Sequence, residues 1–162
     1  MPDRAPAFFP AFAAQLEALA AADQAMREAY LAGSGAWDDA SDARGAEALR
    51  RIVEQIGWPT AAKVGRAGTD AAWIIAQHAD HDLDFQKTCL ALMRAYAAED
   101  VPAEHAAYLE DRIAVSEGRP QAYGTQFRRG IDGAMRPHPV FEPEALDERR
   151  AAAGMGLWHP LA

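Results

Sequence analysis

A mainly α-helical domain is predicted by three features of this 162-residue sequence. Apolar residues recur in steps of three and four along separate stretches, glycines and prolines punctuate the ends of those stretches, and the chain is rich in alanine, the strongest helix former. The expected architecture is a bundle of about four main helices with an irregular C-terminal arm and room for one short hairpin. The length suits one core, and no repeat of 20 to 50 residues or clear linker divides it. A single helical domain over residues 1–162 is therefore expected, with 119–162 as a loop-rich arm packed on the bundle.

The first helix is expected from about Pro10 to Leu31, because Phe9, Phe12, Leu16, Leu19, Asp23, Met26 and Tyr30 share one face. Gly33-Ser34-Gly35 ends it, and the stretch to about Arg44 reads as a polar loop. Ala46, Leu49, Ile52, Val53 and Ile56 mark a second helix, stopped by Gly57 and Pro59. After one or two turns at most between Thr60 and Gly68, Thr69 is expected to cap a long third helix from Asp70 to about Ala98. Its apolar line holds Ala71, Ile74, Ile75, Phe85, Cys89, Leu92, Met93 and Tyr96, and His78, His81 and Asp82 fall in the same sector. Asp80, Asp84, Lys87 and Arg94 lie opposite.

Pro102 suits the start of a fourth helix, from about Ala103 to Ser116, whose buried side would carry Tyr108, Leu109, Ile113 and Val115 with Arg112 between them. Gly118 and Pro120 break it, and Gln121 to Phe127 reads as a short strand or an ordered loop. Pro137, Pro139 and Pro143 keep the next stretch extended or turned. A last short helix is expected over Glu144 to Ala153, with Gly154 as its stop.

Net charge and cysteine usage narrow the partners. A formal charge of -8 and a pI near 5.0 disfavour nucleic acid and anionic membranes. The one cysteine, Cys89, cannot form an internal disulfide, which fits a cytoplasmic location. The apolar stretch from Phe8 to Ala14 is too short for a signal peptide or a membrane span. A small molecule is the expected partner, and the sequence implies no particular oligomeric state.

Ionisable residues on otherwise apolar faces carry the functional expectation. Asp23 on the first helix, His78, His81 and Asp82 on the third and Arg112 on the fourth would each be costly to bury alone, so they should pair or line a wet pocket. His78 and Asp82 stand four apart, a spacing that lets a carboxylate fix an imidazole tautomer, and form the expected catalytic acid/base pair. Arg112 would hold an anionic group or bridge to Asp23 or Asp82. Arg27 and Asp23 could form an intrahelical ion pair, and adjacent Asp111 and Arg112 must find different partners. Gln121, Tyr123, Thr125 and Gln126 offer donors and acceptors around Gly124, as ligand contacts or as a plug satisfying backbone groups. Cys89 reads as an inert core thiol. No cofactor is expected. The metal alternative uses His78, His81 and Asp82, with a fourth ligand from Asp23, Asp111 or His105.

Several motifs occur in order: Asp23-Gln24 with Arg27, Gly57-Trp58-Pro59-Thr60, Gln77-His78-Ala79-Asp80 with Asp82 and Gln86, Leu109-Glu110-Asp111-Arg112, Gln121-Ala122-Tyr123-Gly124-Thr125-Gln126, and Arg149-Arg150 to Gly154. In this the chain resembles an uncharacterised bacterial family, the domain of unknown function 6624. The resemblance implies a shared polar site that includes His78, Asp82 and Arg112, with Trp58 and Tyr123 as walls, and names no substrate. The leading expectation is an enzyme acting on a small polar or anionic metabolite by hydrolysis, elimination or isomerisation. The site would have His78 and Asp82 as catalytic pair and Arg112, Asp23, Arg27, Trp58, Asp111, Gln121, Tyr123 and Gln126 around the ligand. A non-catalytic module binding a small molecule or peptide end, and a structural bundle held by buried ion pairs, are the alternatives.

Overall fold

The computed structural model describes residues 7–96, 98 and 100–159. The fold is mainly α-helical, with six α-helices and one two-stranded sheet among the described residues. Two compact units divide it, Met1–Val101 and Pro102–Ala162, and each is described by itself.

The first unit holds four helices: α1 (Pro10–Leu31), α2 (Ser41–Ile56), α3 (Ala61–Gln77) and α4 (Leu83–Arg94). Pro10 opens α1 at a position where its missing N–H costs nothing. The expected stripe on α1 turns inward at Leu16 and Asp23, while Tyr30 at its end is exposed. α1 packs chiefly on α3, and small residues let them approach: a Cβ on Gly68 would stand 3.6 Å from the Ala13 Cα. Leu16, Leu49, Ile52, Trp58, Val64, Phe85, Cys89 and Met93 fill the core of this unit. Among the described residues no helix is long and apolar enough to cross a membrane.

Two expectations need correction here. α2 reaches back to Ser41 instead of starting near Ala46, with Asp42 in its first turn, where a carboxylate meets the positive end of the helix dipole. The single long helix from Asp70 to Ala98 is two helices joined by the turn His78–Asp82. Asp82 is the N-cap of α4, its side chain accepting the Phe85 N–H at 3.0 Å, so a new helix starts where an apolar stripe alone suggested continuation. Thr69 is correspondingly no cap. It lies inside α3, fully buried, and its hydroxyl donates to the Pro59 carbonyl at 2.7 Å. The break in α3 is at Gly65, whose φ of 75° belongs to the left-handed region that glycine tolerates.

The second unit begins with α5 (Ala103–Ser116), which coincides with the expected fourth helix. Leu109 and Ile113 are buried on it as expected, whereas Tyr108 is exposed and Val115 half-buried. Strands β1 (Phe127–Arg129) and β2 (Met135–Pro137) form a short antiparallel hairpin, with Phe127 opposite Pro137 and Arg129 opposite Met135. The last helix is shorter than expected. A 3-10 turn over Pro143–Ala145 leads into α6 (Leu146–Ala152).

Candidate functional site

In the first unit, α1, the start of α2 and the end of α3 bring Asp23, Asp42 and His78 to the wall of one pocket of about 110 Å³. Leu19, Ala22, Ser41, Arg44, Gly45 and Ile75 complete its lining. Gly45 lets α2 lie close to α3, since a Cβ there would already touch the Ile75 Cγ2 at 3.4 Å. A cavity of that size admits a few waters or one small polar group of a ligand, far less than a whole drug-sized molecule.

The hydrogen bonds of the site centre on Asp23, which is only 8% exposed. His78 Nδ1 lies 2.7 Å from Asp23 Oδ2, and because a carboxylate can only accept, the ring donates through Nδ1. Arg27 Nε donates to both oxygens of Asp23, at 3.0 and 3.1 Å, and Gln24 Nε2 donates to Oδ2 at 3.2 Å. The far end of the same guanidinium reaches Asp42 Oδ1 at 2.5 Å, tying α1 to α2. Its face rests on Trp37, 4.9 Å from the ring centroid, and Tyr30 meets Trp37 edge-on. Burial acts to raise the Asp23 pKa, but the Arg27 hydrogen bond and the charges of His78 and Arg27 outweigh it and hold the carboxyl below its usual range. Asp23 is therefore an ionised acceptor that fixes the His78 ring at Nδ1.

Asp82 takes a different partner from the expected one. With the helix broken at His78, the four-residue spacing no longer stacks the two side chains, and Asp82 instead caps α4 and pairs with Arg50 at 2.5 Å. The Arg50 guanidinium lies over the Phe85 ring, 4.2 Å from its centroid. His81 is exposed in the intervening turn. Trp58 is fully buried among core residues. Asp42 and Arg44, both on the start of α2, are members of the site outside the expected set; Ser41-Asp42 ahead of Ala46 is the helix-start signal that places them there.

The remaining expected residues belong to the second unit. Arg112 is half-buried on α5, and His105 is buried on the same helix. Asp111 is fully buried and organises the loop after α5: its carboxylate accepts the backbone N–H groups of Ala122 at 2.6 Å, Tyr123 at 3.0 Å and Thr125 at 3.0 Å, and the Thr125 hydroxyl at 2.9 Å. The loop carbonyls are taken from elsewhere in the unit. Arg149 Nε donates to Ala122 O at 2.9 Å, Arg150 Nη1 to Tyr123 O at 2.7 Å and Trp158 Nε1 to Gly124 O at 3.1 Å. The buried Gln121 side chain spans the loop, accepting the Gln126 N–H at 2.8 Å and donating to the carbonyls of Gln126 at 3.0 Å and His138 at 2.9 Å. Gln126 Nε2 reaches the Thr125 hydroxyl at 3.0 Å. Gly124 has a φ of 70°, and a Cβ on it would stand 2.8 Å from the Trp158 Cδ1, so this position requires glycine twice over.

Of the metal ligands expected from sequence, His78 and the fourth-ligand candidate Asp23 join the cluster that the structure assembles, and His81 and Asp82 do not. Among the described residues Asp23, Asp42 and His78 form a group able to hold a cation, each offering a ligand atom within 4.8 Å of the others. No curated protein and no solved structure matches the chain. The sequence motifs run through both units, and the model of DUF6624, a family of unknown function, matches residues 10–161: the chain belongs to that family.

Proposed function

We propose that the pocket of the first unit binds the anionic group of a small metabolite and that His78 exchanges a proton with it. The observation that supports this reading is the 2.7 Å bond from His78 Nδ1 to the buried Asp23 on the wall of the pocket. A carboxylate behind the ring fixes its tautomer and stabilises the imidazolium that forms when Nε2 takes a proton, the division of labour of a general acid/base pair. Asp23 thus replaces Asp82 as the orienting residue. Arg44, also on the wall and otherwise paired with the exposed Asp38, supplies the cation that would meet a carboxylate or phosphate. Arg27 serves to hold Asp23 and Asp42 in place. Hydrolysis, elimination and isomerisation all use such a pair.

A thermal-shift screen of small carboxylates and phosphates tests the reading, because a ligand of the folded state raises its stability by linkage. The expected hit stabilises the wild type and binds roughly tenfold or more weakly to Arg44→Met, the scale of one charged hydrogen bond. His78→Gln should retain binding and lose roughly 10²-fold in turnover of that compound. Retained binding with unchanged turnover would remove His78 from the chemistry, and a hit that binds but is never turned over by the wild type would make the pocket a binding module.

A further inference from the structure

We propose that Asp23, Asp42 and His78 also form a binding site for one divalent transition-metal ion of the zinc type, which enters by displacing the Arg27 guanidinium from the two carboxylates. The proposal stands on the same side chains as the acid/base reading but does not rest on it. Helices α1 and α2 contribute one ligand each and the turn that follows α3 contributes the third, and the ligand atoms lie within 4.8 Å of one another. Zinc bonds of about 2.0–2.2 Å place tetrahedral ligands roughly 3.4 Å apart, so side-chain adjustments of about an ångström close the triad. The adjoining pocket leaves the fourth position to water or a ligand, the arrangement that catalytic zinc sites keep.

Charge argues in the same direction. Two carboxylates face one guanidinium, so with a neutral imidazole the cluster carries one uncompensated negative charge. A divalent ion in place of Arg27 brings the sum to zero. Arg27 has somewhere to go, because its guanidinium already lies over Trp37 and can stay on that ring when it releases the carboxylates. The imidazole selects among cations: Mg²⁺ and Ca²⁺ favour all-oxygen shells, whereas imidazole with carboxylates suits zinc.

The test is a titration of the chelator-washed full chain with Zn²⁺, followed by calorimetry and by tryptophan emission, with Mg²⁺ as the comparison. One equivalent should bind, with an emission change that Trp37→Phe removes. His78→Gln and Asp42→Asn should each weaken binding by at least about tenfold, the scale on which lost site contacts act. Arg27→Met, which removes the competitor, should bind at least as tightly as the wild type. Asp42 is half-exposed at the first turn of α2, so its variant keeps the question open should the His78 variant fold poorly. Absence of saturable Zn²⁺ binding, binding retained in both ligand variants, or equal binding of Mg²⁺ would overturn the proposal. None of those results would touch the acid/base reading, which is judged on ligand turnover without added metal.

Discussion

Replacing Asp111 with Ala removes the acceptor for four donors at once: the N–H groups of Ala122, Tyr123 and Thr125 and the Thr125 hydroxyl. Hydrogen bonds to a charged group contribute about 1.5–3 kcal/mol each, so a naive sum approaches 10 kcal/mol. Two effects reduce it. The loop residues Ala122, Tyr123 and Thr125 are only half-buried, so water can reach part of the exposed backbone. The substitution also relieves the cost of holding a fully buried carboxylate. A loss of about 3–5 kcal/mol is expected, near the upper end for a single substitution. Asp111→Asn, which keeps one oxygen but turns an NH₂ toward N–H donors, should lose about 2–3 kcal/mol. Urea unfolding followed by tryptophan emission measures the loss, and amide exchange at Ala122, Tyr123 and Thr125 locates it. A loss below about 1 kcal/mol in the Ala variant, or unchanged protection of those amides, would refute the view that Asp111 organises this loop.

The same residues show which parts of the molecule were legible in the sequence. α1 and α5 were readable because each has a proline at its start, a sustained apolar stripe and a clear stop, so local and global signals agree. The split between α3 and α4 was hidden. Phe85, Cys89 and Met93 continue in phase with Ala71 and Ile75, and periodicity alone does not register a five-residue turn when the phase survives it. The cap at Asp82 was written in the sequence as an aspartate three residues before Phe85, but reading it as the partner of His78 used the residue for another purpose. The inward position of Asp23 was legible, since a charge on an apolar stripe must be satisfied. Its partner was not, because the bond to His78 spans 55 residues of chain and only the packing of α1 on α3 creates it. Asp111 and the polar loop from Gln121 to Gln126 were each legible as groups in need of partners, but the bond between them was not: it is the packing of the loop on α5 that gives Asp111 to the backbone of Ala122 to Thr125.

Two further outcomes follow from single side chains. Burial pushes the Cys89 thiol from 9.0 up to about 12, so it should resist alkylation at pH 8 until the chain unfolds. The folded state holds that proton more tightly than the unfolded one, so the associated stability is complete below pH 9.0 and lost as pH rises toward about 12; alkylation of native protein at the rate of a free thiol would contradict this. The last outcome turns on the sign of one substitution, Asp82→Ala. Were residues 70–98 one continuous helix, Ala in its interior would stabilise it by a few tenths of a kcal/mol, since Ala is the best helix former and Asp among the poorer ones. With Asp82 as the N-cap of α4, the same change removes the acceptor of the Phe85 N–H and should cost about 1 kcal/mol. The Arg50 bridge adds little, because both partners are about a third exposed and screened by water. Asp82→Ser separates the two contributions, keeping a capping oxygen while discarding the charge, and should recover most of the loss. Thermal or urea unfolding of the pair decides it: a stabilised Ala variant, or a Ser variant no better than Ala, would mean that the turn between α3 and α4 is not held by this cap.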